Sequence, residues 1–131
     1  MFIAFFGEEK MSRRILTVDD SPSMRMLLRA ALTEQGFMVF EAEDGVDALE
    51  KLETVTPDLV ITDINMPRMD GFGLIEALRS GQLCAGLPIL VLTTEASEEK
   101  KARARNAGAT GWIVKPFDRE KLGAAIRRVL H

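Results

Sequence analysis

Leu59-Val60-Ile61-Thr62-Asp63 is a run of apolar and β-branched residues closed by a carboxylate, and its reading decides the fold. The pattern recurs along the chain. Ile15-Leu16-Thr17-Val18 closes on Asp19 and Asp20, Ile89-Leu90-Val91-Leu92 on Thr93 and Thr94, and Trp112-Ile113-Val114 on Lys115 and Pro116. A more polar run, Val39 to Ala42, lies between the first two and suits a sheet edge. Near-continuous apolar runs of this length belong to strands covered on both faces, as in a parallel sheet.

Helical periodicities fill the intervals. Ser21-Pro22 reads as an N-cap followed by proline in the first turn. Met24, Leu27, Leu28, Ala31 and Leu32 then follow with the spacing of one helix face, and Gly36 stops the helix. Asp44-Gly45 introduces a second helix with Val46, Leu49 and Leu52 expected inward. The loop from Asn65 to Gly71 leads to a third helix carrying Leu74, Ile75 and Leu78. A charged helix is expected from about Ser97 to Ala107, and the last helix aligns Leu122, Ala125, Ile126, Val129 and Leu130. Five strands alternating with five helices predict a doubly wound α/β domain. No linker, repeat or low-complexity stretch marks a second domain. The last helix closes the chain, so no DNA-binding output module is expected.

Composition narrows the chemistry. A chain of 131 residues, 47% of them apolar, suffices for one domain with a genuine core. Cys84 is the only cysteine, which excludes an internal disulfide and a thiolate metal cluster and suits a reducing, cytoplasmic setting. In the loop before the fourth strand it reads as a neutral filler. His131 is the only histidine and ends the chain, so triads resting on an internal imidazole and histidine-ligated zinc are excluded. The net charge of −3, with no basic run longer than two residues, gives no general attraction to nucleic acid. Met1 to Phe6 is apolar but far short of a bilayer span, and it lacks the basic flank of a signal peptide. Residues 1–11 are therefore expected to be an extension dispensable to the fold, with a second potential start at Met11. The alternative is a sticky arm or partner contact.

In an open parallel sheet, ligands bind outside the carboxyl ends of the strands. Asp19, Asp20, Asp63, Thr93 and Lys115 all follow strands and so belong to that edge. Three carboxylates at one place raise one another's pKa unless a cation is present. Hard oxygen ligands with room for water suit Mg²⁺ better than zinc or copper. A lysine and a hydroxyl beside them complete a site for a phosphoryl group, whose transfer asks mainly for positioning and charge stabilisation. An aspartate can itself be the nucleophile and form an acyl phosphate.

The segments Ile15–Asp20, Asp63-Ile64-Asn65-Met66-Pro67-Arg68-Met69-Asp70-Gly71, Leu92-Thr93-Thr94-Glu95-Ala96 and Val114-Lys115-Pro116-Phe117 together resemble the response-regulator receiver domain. The likeness covers residues 12–131 and is nearest in form to stand-alone chemotaxis regulators of the CheY type. It implies a flavodoxin-like, five-stranded sheet of order 2-1-3-4-5 with five flanking helices. By that resemblance Asp63 is the phosphoacceptor, and Asp19, Asp20 and the backbone carbonyl of Asn65 join it around Mg²⁺. Lys115 pairs with the acyl phosphate and is held by a cis Lys115-Pro116 bond. Thr93 turns its hydroxyl to the phosphoryl oxygen, Trp112 follows it inward as the switch aromatic, and Asn65 and Glu95 tune hydrolysis. The implied phosphoryl donor is a sensor histidine kinase of the chemotaxis CheA type. The implied protein is a cytoplasmic monomer without membrane or nucleic-acid partners. It is a phosphoacceptor with intrinsic phosphotransfer and autodephosphorylation rather than a conventional enzyme.

The fourth helix departs from the chemotaxis pattern. Ala96 to Ala109 contains no large aliphatic side chain, and Lys100, Lys101, Arg103 and Arg105 stand where motor-binding regulators carry a more apolar patch. Acidic residues early and basic ones late complement the helix dipole, a sufficient structural reason for the order. The other reading is a weakly anchored helix that shifts with Thr93 and Trp112. This leaves open a flagellar motor switch protein, a phosphatase, or a phosphate sink with no output partner. A haloacid-dehalogenase-type phosphatase is a further alternative. That class wants an acid two residues beyond its nucleophile, whereas Asp19 and Asp20 are adjacent. An FMN module would place a phosphate where these carboxylates repel it.

Overall fold

Two strands at the centre of the molecule, β1 (Arg14–Val18) and β3 (Leu59–Thr62), lie parallel with Val18 opposite Thr62. This register sends Asp19 and Asp63 out of the sheet side by side. The computed structural model describes Met1, residues 12–81 and residues 84–130. The expectation for residues 1–11 and the placement of His131 thus lie, apart from Met1, outside the described residues. Around the central pair stand β2 (Met38–Ala42), β4 (Ile89–Thr93) and β5 (Gly111–Val114), giving one parallel sheet of order β2-β1-β3-β4-β5. The helices are α1 (Pro22–Glu34), α2 (Gly45–Lys51), α3 (Gly71–Ser80), α4 (Glu98–Ala107) and α5 (Arg119–Leu130). The expected doubly wound, flavodoxin-like fold is the observed one.

Strand alternation divides the core in two. Leu16, Val18, Val60, Ile89 and Val91 pack towards Ala48 of α2, Leu74, Ile75 and Leu78 of α3, and Ala104 of α4. Their neighbours Ile15, Leu59, Ile61, Leu90 and Leu92 meet Leu28 and Leu32 of α1 and Leu122, Ile126 and Leu130 of α5. Successive side chains leave opposite faces of a strand, so runs apolar at every position feed both layers. Among the described residues β2 pairs only with β1, consistent with its polar reading as an edge.

Some inward assignments need correction. Leu27 is 57% exposed, because the buried stripe of α1 narrows to Leu28, Ala31 and Leu32. Leu27 instead lines an apolar groove with Met24, Pro116 and Phe117. In α2 the buried side chain is Ala48, while Val46, Leu49 and Leu52 are only half-buried, Leu49 and Leu52 packing against the core from its margin. A helix of 7 residues presents only one turn squarely to the sheet.

Side-chain caps set the helix starts. Ser21, Asp44, Asp70 and Ser97 accept from the backbone N–H three residues on, at 3.2, 2.8, 2.8 and 3.1 Å. Asp44 also receives Arg68 through both carboxylate oxygens, Nε at 2.7 Å and Nη2 at 3.0 Å. Arg68 sits at φ 62°, and Gly45 N–H donates to the Met69 carbonyl at 3.1 Å. The loop after β3 is therefore pinned to the start of α2. The Arg68 guanidinium, with the capping N–H of Asp47, holds the Asp44 carboxyl below its ordinary value of 3.8 against the opposing effect of burial.

A carboxylate whose pKa is depressed by folding contributes stability above its unfolded value, and loses it as pH falls through the folded value. Asp44→Ala should therefore lower the urea midpoint at neutral pH. Its gap from wild type should close as pH falls below 3.8, in equilibrium denaturation followed by circular dichroism. A gap that persists unchanged at acid pH would show that the Asp44 charge does not hold the loop.

Candidate functional site

The carboxyl ends of β1, β3 and β5 bring one ammonium group between two carboxylates. Lys115 Nζ donates to Asp19 Oδ2 at 2.8 Å and to Asp63 Oδ2 at 2.7 Å. Asp19 is 2% and Asp63 9% exposed, so this pairing occurs largely out of water. The remaining oxygens are also engaged. Asp19 Oδ1 accepts from Ser21 N–H at 2.9 Å, and Asp63 Oδ1 from Ile64 N–H at 2.6 Å. Burial alone would push the Lys115 ammonium down; hydrogen bonds to Asp19 and Asp63 outweigh it and raise its pKa above 10.5. Lys115 and Pro116 are joined by a cis peptide bond, as the family resemblance implies.

Backbone bonds continue the sheet into the site. Asp19 N–H donates to Ala42 C=O at 3.1 Å, Asp63 N–H to Val18 C=O at 2.9 Å, and Lys115 N–H to Thr93 C=O at 2.7 Å. Gly71 closes the loop behind Asp63, its N–H donating to Ile64 C=O at 2.8 Å. A Cβ at Gly71 would stand 2.3 Å from the Asp63 carbonyl oxygen and 2.9 Å from Ile64 Cα. These are backbone atoms that cannot swing aside, so this close approach requires glycine.

Asp20 is exposed, and one carboxylate oxygen from each of Asp19, Asp20 and Asp63 fits within a 4.8 Å cluster. This all-oxygen set, with an exposed side for water, could hold a hard divalent ion and fits Mg²⁺.

Thr93 is buried, and its hydroxyl accepts from Glu95 N–H at 3.4 Å. Trp112 stands outside the acidic cluster and reaches it through the same residue, its Nε1–H donating to the Glu95 carbonyl at 3.0 Å. Glu95 Oε1 accepts from Asn65 Nδ2 at 3.2 Å and pairs with Lys100 Nζ at 2.9 Å. Lys100 and Asn65 hold the Glu95 carboxyl below its usual range. All the expected site residues thus border one sheet edge, Thr93 and Trp112 joining it through Glu95.

Two contributors escape a reading by strand ends. Arg25 of α1 donates from Nη1 to the Asp19 carbonyl at 2.6 Å, and Lys100 belongs to α4. The one available signal for Arg25 is its place in the first helical turn beyond Asp19-Asp20.

A family model described as the response regulator receiver domain matches residues 15–127. Response regulator MprA of Mycobacterium ulcerans is 42% identical over 120 residues, covering 92% of this chain and 51% of that protein. The chain spans about half the length of the curated relatives it matches, or less. The chemotaxis response regulator CheY4 of Vibrio cholerae superposes with a TM-score of 0.86 at 43% identity, over 92% of this chain and 100% of that one. The receiver domain of sensor histidine kinase PA1611 from Pseudomonas aeruginosa, solved with magnesium in its active-site cleft, gives 0.84 at 27% identity. That match covers 91% of this chain and 98% of the other.

Removing the central cation tests the electrostatics directly. Lys115→Met leaves Asp19 and Asp63 facing each other and should cost about 2 kcal/mol in metal-free buffer, below the figure for fully buried pairs. The double variant Asp63→Asn/Lys115→Met should recover most of that loss in urea denaturation. Equal stability of wild type and Lys115→Met would show that the bridge contributes nothing to the fold.

Proposed function

The chain belongs to the response regulator receiver domain family, and on that premise we propose that Asp63 accepts a phosphoryl group from a phosphohistidine on a partner kinase. The supporting observation is the Lys115 ammonium bridging Asp63 Oδ2 and Asp19 Oδ2 in a nearly buried pocket. In the transfer, an Asp63 carboxylate oxygen forms the new P–O bond as the P–N bond to the donor imidazole breaks. Lys115 stays protonated and stabilises charge on the phosphoryl oxygens. Ile64 N–H keeps Asp63 oriented, and Asp19 orients Lys115. Mg²⁺, held by Asp19, Asp20, Asp63 and the Asn65 carbonyl, would supply further neutralisation of phosphoryl charge.

Thr93 couples occupancy of the pocket to the surface. Its hydroxyl leaves Glu95 N–H to donate to a phosphoryl oxygen, loosening the turn whose carbonyl holds Trp112. The acyl phosphate then favours one of two arrangements of the face built from α4, β5 and α5. Asn65 and Glu95, at the pocket mouth, tune the attack of water and so the autodephosphorylation rate.

Residues 12–131 would form this signalling unit, with 1–11 as a dispensable extension. The unit would act as a cytoplasmic monomer in chemotaxis, with a kinase of the CheA type as donor and a motor switch protein or phosphatase as partner. No helix among the described residues is long and apolar enough to cross a membrane. The charged surface of α4 favours a second reading, a phosphate sink that drains the kinase without a motor partner. Among the described residues of α4, only Ala104 is buried.

Phosphotransfer from autophosphorylated candidate kinases should label wild type and leave Asp63→Asn unlabelled, read by radiolabel on gels. Label surviving in Asp63→Asn would remove Asp63 as the acceptor. Beryllofluoride with Mg²⁺ should change Trp112 fluorescence in wild type and much less in Thr93→Ala. An unchanged wild-type spectrum at confirmed Asp63 occupancy would remove Trp112 from the switch.

A further inference from the structure

Lys100 is a cation placed where a helix disfavours one. Ser97 caps α4, so Lys100 is the third helical residue, close to the positive end of the dipole and following Glu98 and Glu99. Its backbone N–H is the one Ser97 Oγ captures, at 3.1 Å. The expected order of early acidic and late basic residues therefore breaks at this position. The side chain turns back past the cap to Glu95, placing Nζ 2.9 Å from Oε1. That oxygen also takes the Asn65 amide, at 3.2 Å, from the loop that follows Asp63. Asp63 acts on the Glu95 carboxyl in the opposite sense to Lys100, disfavouring its charge, so Glu95 lies within electrostatic reach of the acceptor.

Glu95 thus introduces an anion beside a pocket already holding Asp19, Asp20 and Asp63, into which a phosphoryl dianion must come. Its backbone is held by Thr93 and Trp112, and its side chain by Asn65. The free conformations of the glutamate side chain would include some directed over the pocket. A cation on its outer side removes both the charge and that freedom.

We propose that Lys100 is a positioning residue for phosphoryl uptake, clamping Glu95 against Asn65 and neutralising it at the mouth of the pocket. The assignment rests on the reading of Asp63 as phosphoacceptor. It adds a specific part for α4, which reports on the pocket and also sets its electrostatics. The ion pair is partly exposed, so its effect is modest and salt-dependent.

The probe is acetyl phosphate with Mg²⁺ at low ionic strength, with Asp63 occupancy followed by intact mass. Lys100→Gln should take up the phosphoryl group about two- to fivefold more slowly than wild type. Lys100→Arg should restore most of the rate, and about 0.5 M salt (roughly a 4 Å screening length) should shrink the difference. In the Glu95→Gln background, Lys100→Gln should have no further effect. Rates equal in wild type and Lys100→Gln overturn the proposal. So does an equal slowing in the Glu95→Gln background, because Lys100 would then act through some other group. Wild type that gains no phosphoryl group on Asp63 defeats the underlying acceptor reading first. Circular dichroism on each variant separates these outcomes from misfolding, and Lys100→Arg gives a second fold-preserving comparison.

Discussion

The site depends on one electrostatic constraint, that the nearly buried carboxyl groups of Asp19 and Asp63 stand side by side and need a cation between them. Lys115 satisfies it with bonds of 2.8 and 2.7 Å. Coulomb energy alone would not suffice, because taking charges from water is costly. The compensation is complete in the details: the second oxygen of each carboxylate accepts a backbone N–H, from Ser21 or Ile64. Among the described residues, no buried side-chain polar atom lacks a partner. The pocket is polar and still folded because its buried polar atoms are all matched.

Meeting that constraint takes the whole sheet. Asp19 and Asp63 become neighbours through the Val18–Thr62 pairing, and Lys115 through the Thr93–Val114 pairing on the far side of β4. A slip of one residue would turn each strand's side chains to the opposite layer. The two apolar cores therefore protect the register, and the register protects the charges. Behind Asp63, the requirement for glycine at position 71 and the Arg68–Asp44 pair hold the loop from two directions. The cores and these contacts keep the Asp63 carboxylate oriented at the sheet edge.

How much of this is legible in the sequence follows from sequence distance. Strand identity is a local property, visible in runs such as Leu59–Thr62, and parallel topology carries the strand-end residues to one edge without knowledge of contacts. The two-sided apolar pattern reveals the fold for the same reason. Leu27 misleads because helical periodicity defines an apolar face, while α5 and the sheet decide how wide a stripe of it is covered. Arg68 and Asp44 are separated by 24 positions and meet only when the loop and α2 are in place. Lys100 is visible as a charge but not as a partner of Glu95, since the pair spans a cap rather than the three- or four-residue spacing of a helix face. Trp112 reads as a switch aromatic from resemblance alone. Its link through the Glu95 carbonyl is a tertiary contact with no sequence signature.

The weak anchoring of α4 acquires a physical meaning from these contacts. Only Ala104 is buried among the described residues of the helix, so its hydrophobic attachment is small compared with α3, which buries Phe72, Leu74, Ile75 and Leu78. Its polar or mixed ties include Arg103 over the Phe72 ring at 4.0 Å, and Lys100 on Glu95. Partly exposed interactions of this kind are individually weak, so a small change at the pocket can compete with them. A helix bolted down by leucines would resist such a perturbation. With alanine on its inner face and an ion pair at its N-terminal end, α4 is held by contacts that are largely electrostatic and partly exposed, so its attachment is sensitive to charge and salt where the apolar packing of α3 is not.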